Sequence, residues 1–187
     1  MKPWLIALIV ILAIIVLIIM WGIKVFNTLV HTRNKVKEAF STMDVYLKKR
    51  WDMIPNLVET VKGAAKHEKE TLAEVTKLRN TNYSDLSPEE KIEANKKLSG
   101  SISKLLAVAE QYPDLKANQN FLNLSESLTK VEEDIANSRT YYNGCVLKMN
   151  NLVEMFPTSI IAKMKNFKQE PLFTVDESER QNVQVKF

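Results

Sequence analysis

The sequence is poor in glycine and cysteine, and each scarcity excludes a class of structure. Four glycines among 187 residues, beside many Leu, Ala, Lys and Glu, suit long helices with few tight turns better than a sheet. The single cysteine, Cys145, excludes an intrachain disulfide, and its neighbours give no sign of an activated thiol. We therefore expect an all-α protein.

Motifs for metal binding and catalysis are also missing. His67-Glu68 begins like the zinc motif H-E-x-x-H, but the position of the second histidine is Thr71. A di-iron bundle needs Glu-x-x-His, and the residues three before His31 and His67 are Thr28 and Ala64. Nucleophile-elbow, phosphate-loop and dinucleotide-turn motifs are absent. We expect no catalytic residue, no metal and no cofactor.

One long hydrophobic run stands at the N-terminus. Residues 4–23, WLIALIVILAIIVLIIMWGI, carry no charge and as a helix span roughly 30 Å, one hydrocarbon thickness. Trp4 and Trp21 stand near its two ends, where tryptophan favours the membrane interfaces, and Lys24 follows. A cleaved signal peptide would need a shorter apolar core and a small-residue cleavage site, which MWGIKVFN lacks. The run predicts a transmembrane anchor over residues 1–24.

Positive charge is concentrated directly after this run. Lys2 alone precedes it, whereas Lys24, Arg33, Lys35 and Lys37 follow, so the bulk of the chain is expected in the cytoplasm, with a short N-terminus outside. Residues 24–50 hold seven Lys/Arg and two Asp/Glu. This basic stem either contacts anionic lipid head groups or only sets topology and solvates a helix face. The rest of the chain is slightly acidic, which argues against a nucleic-acid partner.

The remaining sequence reads as four amphipathic helices. Apolar residues recur at helical spacing over 26–51, 57–80, 87–112 and 121–156. Pro55 interrupts the first two, as either a tight turn or a kink. Short connections between long helices predict an antiparallel four-helix bundle over residues 25–157.

Local signals mark the helix ends and the C-terminal segment. Ser87-Pro88-Glu89-Glu90 has the pattern of a capping box, and Pro113 ends the third helix. Asp114 or Asn118 can cap the fourth. Residues 158–187 contain a short amphipathic piece, SIIAKMKNF, and a strand-like tail, NVQVKF, which we expect to pack on the bundle.

Polar residues interrupt the apolar faces of these predicted helices. Because a buried charge is costly unless paired, Glu132 or Glu68 is expected to pair with Arg139 or Arg79 in a network that fixes helix register. The alternative is that some of these residues line a cleft that binds a ligand. The set comprises Glu68, Arg79, Glu110, Asn118, Glu132, Arg139, Asn143 and Asn150.

Several long motifs resemble those of the LemA family of bacterial membrane proteins. They are R-x-D-x-I-P-N-L-V from Arg50 to Val58, which contributes Arg50, Asp52 and Asn56, the pair His67-Glu68, E-x-Y-P-x-L-K-A-N from Glu110 to Asn118, and Glu132, Arg139 and Asn143 in E-x(6)-R-x(3)-N. The resemblance covers nearly the whole chain. It implies an antiparallel helical bundle on a membrane anchor, with the short N-terminus outside.

The resemblance does not imply that the protein catalyses a particular reaction. The partners that it suggests are an envelope-stress or membrane-protease system and the lipid bilayer itself. Our leading hypothesis is a non-enzymatic, membrane-anchored bundle that presents a helical surface to protein partners at the cytoplasmic face. The alternatives are an enzyme or ligand receptor that uses the polar network as its site, and a homo-oligomer that shapes the membrane.

Overall fold

The computed structural model describes residues 3–64, 73 and 82–174. Within these ranges the chain forms helices and connecting turns, without a strand. The elements are α1 (Pro3–Ala64), a 3-10 turn (Tyr83–Asp85), α2 (Pro88–Glu110), α3 (Pro113–Lys116), α4 (Gln119–Glu154) and α5 (Thr158–Met164). The all-α prediction is confirmed. Residues 65–80 of the predicted helix 57–80 and the tail NVQVKF lie outside the described residues, apart from Ala73, which is helical.

α1 runs without a break through Pro55, so of the two alternatives left open at this proline the tight turn is excluded. An internal proline removes one helical hydrogen bond and costs about 3 kcal/mol or more. Trp51, Ile54 and Leu57 are buried on either side of it, and burying each such side chain stabilises by roughly 1.5–3 kcal/mol. Continuing the helix keeps this apolar stripe in the core, which offsets the lost bond.

α2 begins at the predicted capping box. Ser87 Oγ accepts a hydrogen bond from the Glu90 N–H at 3.2 Å, and the Ser87 N–H donates to Glu90 Oε2 at 2.8 Å. Pro88 occupies the first turn, where its missing N–H costs nothing. The hydrogen bond from the Ser87 backbone lowers the pKa of the Glu90 carboxyl. The helix ends at Glu110, three residues before Pro113.

α4 begins where Asn118 caps it, as one of the two predicted candidates. Asn118 Oδ1 accepts hydrogen bonds from the N–H groups of Asn120, at 2.9 Å, and Phe121, at 3.2 Å. The helix then continues for 36 residues to Glu154. The short helix α3 lies between α2 and α4, so the connection EQYPDLKAN is a structured turn.

The chain divides into two compact units. Unit 1 consists of residues 1–39 and 142–172, and unit 2 consists of residues 40–141 and 173–187. The predicted domain boundaries, at 24/25 and 157/158, stay predictions. The core of unit 2 includes Met43, Leu47, Leu57, Val61, Leu98, Leu105, Leu128 and Val131, and that of unit 1 includes Val25, Leu29, Val36, Tyr142, Val146, Met149 and Ala162.

The N-terminal part of α1 is apolar and solvent-exposed. An 18-residue window within it has a mean hydropathy of 3.3, and none of that window is buried. Trp4 and Trp21 are both exposed, as the anchor prediction requires. By length and composition this helix can cross a membrane.

Candidate functional site

A buried arginine joins three helices of unit 2. Arg50, on α1, is only 2% exposed. Its Nη1 donates to the Glu132 carboxylate on α4, at 2.7 and 2.9 Å, and to Ser99 Oγ on α2, at 2.9 Å. Its Nη2 donates to the backbone O and the Oδ1 of Asn95, at 2.9 and 3.0 Å. The guanidinium therefore fixes α1, α2 and α4 at one level.

Asn95 extends this cluster toward the 3-10 turn. Its Nδ2 donates to the Lys91 backbone O at 2.9 Å and to the Tyr83 hydroxyl at 3.3 Å. The Tyr83 hydroxyl in turn donates to Asp44 Oδ1 at 2.7 Å, and Lys91 Nζ donates to Asp44 Oδ2 at 2.7 Å. The Tyr83 ring lies 5.3 Å from that of Trp51, centroid to centroid. We call Asp44, Arg50, Tyr83, Lys91, Asn95, Ser99 and Glu132 the Arg50 network.

Charges in the Arg50 network are compensated in pairs. Arg50 faces Glu132, and Lys91 faces Asp44. A buried charge is tolerated when it is paired and hydrogen-bonded, and such pairs hold helices in one register. Most polar atoms of the network form hydrogen bonds with one another, and the buried Arg50 Nε has no hydrogen-bond partner among the described residues. The arrangement therefore has the chemistry of a structural brace.

Tyr83 is the network's titratable phenol. Its burial, together with the hydrogen bond that it donates to Asp44, raises the pKa of the hydroxyl well above its usual range. Ionisation would place a second negative charge beside the Asp44 carboxylate. The neutral form of Tyr83 is consequently the one that the fold requires.

We predict an alkaline loss of stability that depends on Tyr83. Because the pKa is raised in the folded state, this stabilisation is present below the unfolded value of about 10 and is lost above it, by up to about 1.4 kcal/mol per pH unit. Denaturant titrations between roughly pH 9 and 11.5 should show a shallower decline for Tyr83→Phe than for the wild type. Tyr141→Phe, which removes an exposed phenol, is the control. Equal slopes for all three proteins would contradict the prediction.

Glu132 pairs with Arg50, and not with Arg139, one of the two arginines that the sequence offered as its partner. Glu132 and Arg139 are seven residues apart on α4, about 10.5 Å along the axis, which is too far for an ion pair. The Arg139 guanidinium instead lies 5.8 Å from the centre of the Phe173 ring. Glu68 and Arg79, the other members of the predicted pairing, lie outside the described residues, as does His67.

The other polar residues singled out from the sequence have separate places. Asp52 is exposed and pairs with Lys48 at 2.8 Å. Asn150 exchanges hydrogen bonds with the Glu170 backbone, at 3.0 and 2.8 Å. Asn118 caps α4 as described above, Asn56 and Glu110 are exposed, and Asn143 is half-buried. Arg50 and Glu132 are thus members of this set that the described part of the structure brings together.

Sequence reasoning missed five members of the Arg50 network, and two of them left a readable signal. The apolar positions of α2 run from Ile92 to Leu98 with a step of six, and Asn95 occupies the missing core-facing position between them. Tyr83 is the one aromatic in a polar loop. The members missed are Asp44, Tyr83, Lys91, Asn95 and Ser99.

A basic groove lies in unit 1, directly after the apolar part of α1. Its volume is about 500 Å³. Three lysines, Lys24 and Lys35 of α1 and Lys148 of α4, contribute its positive charge. Polar side chains and two apolar residues from the end of the predicted span complete it. The lining residues are Met20, Ile23, Lys24, Asn27, Thr28, His31, Thr32, Lys35 and Lys148.

Together these features define a helical protein in which one helix, within the described ranges, is apolar and long enough to cross a membrane and then continues into a helical bundle. The chain belongs to the LemA family, whose family model matches residues 39–187. The resemblance predicted from the sequence motifs is confirmed.

Individual proteins are similar to this chain over different lengths. Protein LemA of Metamycoplasma hominis is 27% identical over 161 residues, which cover 84% of this chain and 72% of that protein. The magnetosome proteins MamQ 1 and MamQ 2 of Paramagnetospirillum magneticum are each 29% identical over 73 residues, 39% of this chain and 27% of the relative. The likeness to the magnetosome proteins is therefore local.

Proposed function

We propose that this chain is a non-enzymatic scaffold, anchored in the bacterial cell membrane by α1, with its helical bundle in the cytoplasm. The observation that carries the proposal is the continuity of α1, which leads from an exposed apolar segment to Arg50 without a break. The lysines and arginine that follow the apolar segment favour retention of the bundle on the cytoplasmic side. Membership of the LemA family supports the membrane association.

The geometry of the Arg50 network favours a structural role over a catalytic one. General acid-base or nucleophilic work needs a polar group aimed at a substrate. Arg50 Nη1 and Nη2 and the amide of Asn95 instead form hydrogen bonds with neighbouring side chains and backbone. A scaffold needs such a brace because its binding surface has to keep a fixed shape.

We propose that protein partners contact unit 2, where two exposed apolar side chains on different helices provide positions at which to test this. Val45 on α1 is 64% exposed and Leu122 on α4 is 46% exposed. Burial of exposed apolar side chains against a partner is energetically favourable. The partner classes that follow from the family resemblance, an envelope-stress or membrane-protease system, belong to this proposal.

Photo-crosslinking in cells tests the scaffold proposal. A photoreactive amino acid at Val45 or Leu122 is expected to capture a reproducible protein partner, identified by mass spectrometry. The same substitution at Lys97 or Ala107, exposed positions on α2, is the matched control and should capture it less. Failure to capture any protein from the Val45 and Leu122 positions would contradict the proposal. Capture of a second copy of this chain alone would favour a homo-oligomer.

A further inference from the structure

Unit 1 has a second apolar feature besides the anchor. The turn between α4 and α5 carries Met155 and Phe156, and the first turn of α5 carries Ile160; all three side chains are exposed. Phe156 is 81% exposed, an unusual position for a large aromatic side chain in water. We call residues 155–160 the apolar tip. Single exposed apolar residues are common on protein surfaces, so exposure alone does not show what covers the tip. The position of the tip relative to the predicted span indicates what covers it.

A contact at Gly22 places α5 beside the end of the predicted span. A Cβ built on Gly22 would lie 3.9 Å from Ile161 Cδ1, which is van der Waals distance. Gly22 belongs to the last turn of the apolar run that ends at Ile23. The first turn of α5 therefore lies level with the boundary between the acyl chains and the head groups, if α1 spans the bilayer.

Three further contacts give the direction of the chain after Ile161. Lys165 Nζ lies 5.9 Å from the centre of the Phe26 ring, and the Phe167 ring lies 6.1 Å from it. The Arg33 guanidinium lies 5.3 Å from the centre of the Phe167 ring. The chain thus moves along α1 from Gly22 toward Arg33, away from the span. Residues that precede Ile161, including the apolar tip, consequently lie at the end of α5 that is nearer to the predicted span.

The last turn of α5 and the segment after it are held in place. Asn166 has φ of 55°, a left-handed conformation that asparagine tolerates, and the Phe167 N–H donates to the Ala162 O at 2.9 Å. The Tyr142 hydroxyl donates to the Pro171 O at 2.9 Å, which fixes the segment to α4. These contacts hold the segment that follows the tip in place within unit 1.

Charged side chains near the tip suit a membrane surface. Lys148, six residues before Glu154 on α4, lines the basic groove together with Lys24. Lys163 of α5 is exposed. Lysines at this level favour the phosphates of lipid head groups, whereas apolar side chains beyond them favour the acyl boundary. An apolar tip with lysines nearby is the arrangement found in segments that lie at the membrane interface.

We propose that the apolar tip, residues 155–160, inserts into the bilayer interface beside α1 and forms a second membrane contact of this protein. The tip contacts the boundary between the head groups and the acyl chains of the membrane in which α1 is anchored. The inference rests on the anchor in the proposed function and adds a site that the anchor alone does not require. The tip restrains unit 1 against tilting relative to the membrane surface, because two points of contact define an orientation that one helix does not.

Site-directed fluorescence on the full-length protein tests this inference. The chain has one cysteine, so Cys145→Ala gives a background for single labels. An environment-sensitive fluorophore is attached at Phe156→Cys or, independently, at Met155→Cys in proteoliposomes. Circular dichroism checks that each variant keeps its helical content. Both labels are expected to show a blue-shifted emission and several-fold stronger quenching by spin-labelled lipid than the label at Asn34→Cys.

The control positions separate the tip from the anchor. Asn34 is exposed on α1, roughly 16 Å beyond Ile23, and its label should respond to aqueous iodide instead. A label at Ile18→Cys, inside the predicted span, should be quenched by lipid. Tip labels that behave like Asn34 while Ile18 is quenched would overturn the inference and leave the anchor intact. Tip labels shielded from iodide but not quenched by lipid would also overturn it, since protein would then cover the tip. Absence of quenching at Ile18 would overturn both.

Discussion

Replacing Arg50 by methionine is expected to lower the free energy of unfolding by about 3–5 kcal/mol, the usual cost of removing one partner from a buried ion pair. Methionine keeps most of the side-chain volume, so the loss comes from the hydrogen bonds to Glu132, Ser99 and Asn95. Asn95 is fully buried, and its Oδ1 would lose the Arg50 donor. Urea denaturation of the full-length protein in detergent, followed by circular dichroism, measures the change.

A matched substitution on the same helix gives the baseline for Arg50. Lys48 pairs with Asp52 at 2.8 Å, but both side chains are exposed, and exposed pairs contribute about 0–1 kcal/mol. Lys48→Met should therefore lower stability by less than about 1 kcal/mol. If Arg50→Met cost no more than Lys48→Met, the Arg50 network would not be a brace.

Glu132→Gln distinguishes a brace from a functional site. The Glu132 side chain is 42% exposed, so solvent screens part of its interaction with Arg50, and the expected loss is roughly 1–3 kcal/mol. A structural role predicts this loss of stability. A site for a ligand or substrate predicts instead that Glu132→Gln and Arg139→Gln abolish function without changing thermal stability.

Neutralising the basic groove is expected to weaken binding to anionic membranes by roughly 100-fold. Each lysine near a membrane that contains anionic lipid contributes about 1 kcal/mol, so Lys24→Gln, Lys35→Gln and Lys148→Gln together remove about 3 kcal/mol. Sedimentation with vesicles of phosphatidylcholine and phosphatidylserine measures it on the fragment that begins at Lys24, whose helical content is checked first. Binding by the unaltered fragment should fall as salt rises, since salt screens exposed charges.

Three lysines of unit 2 provide a control of equal charge. Lys49, Lys97 and Lys130 are exposed, and their replacement by glutamine removes the same formal charge. This variant should bind anionic vesicles more tightly than the groove variant. Equal losses in the two variants would show that net charge, and not the groove, determines binding. Vesicle binding that depends on neither anionic lipid nor salt concentration would contradict a head-group contact altogether.

Features encoded by neighbouring residues could be predicted from the sequence. The capping box at Ser87 and the Asn118 cap involve partners within three residues, so local sequence contains both the donor and the acceptor. The apolar run near the N-terminus is likewise a local property. Pro55 was ambiguous because its local preference for a break competes with the burial of Trp51, Ile54 and Leu57, which depends on the rest of the fold.

Partners that are distant along the chain could not be paired from one sequence. Arg50 and Glu132 are 82 residues apart, and Tyr83 and Asp44 are 39 apart. Helical spacing places a polar residue on a face, but the neighbour that meets it depends on helix register and crossing. Glu132 was singled out as a polar residue beside the core, but Arg50 was not among the partners offered for it, for this reason. The apolar tip was similarly hidden, since Phe156 continues the apolar repeat of α4.

The amino-acid sequence by itself determined that this protein is helical, that it carries one apolar segment of membrane-spanning length near its start, and that it belongs with the LemA proteins. Periodicity, composition and ordered motifs are one-dimensional properties, and they need no knowledge of contacts. Only the tertiary structure decided that α1 continues through Pro55, that Arg50 meets Glu132, and that Ile161 lies beside Gly22. Each of these depends on a balance between local preference and burial or pairing with residues far along the chain.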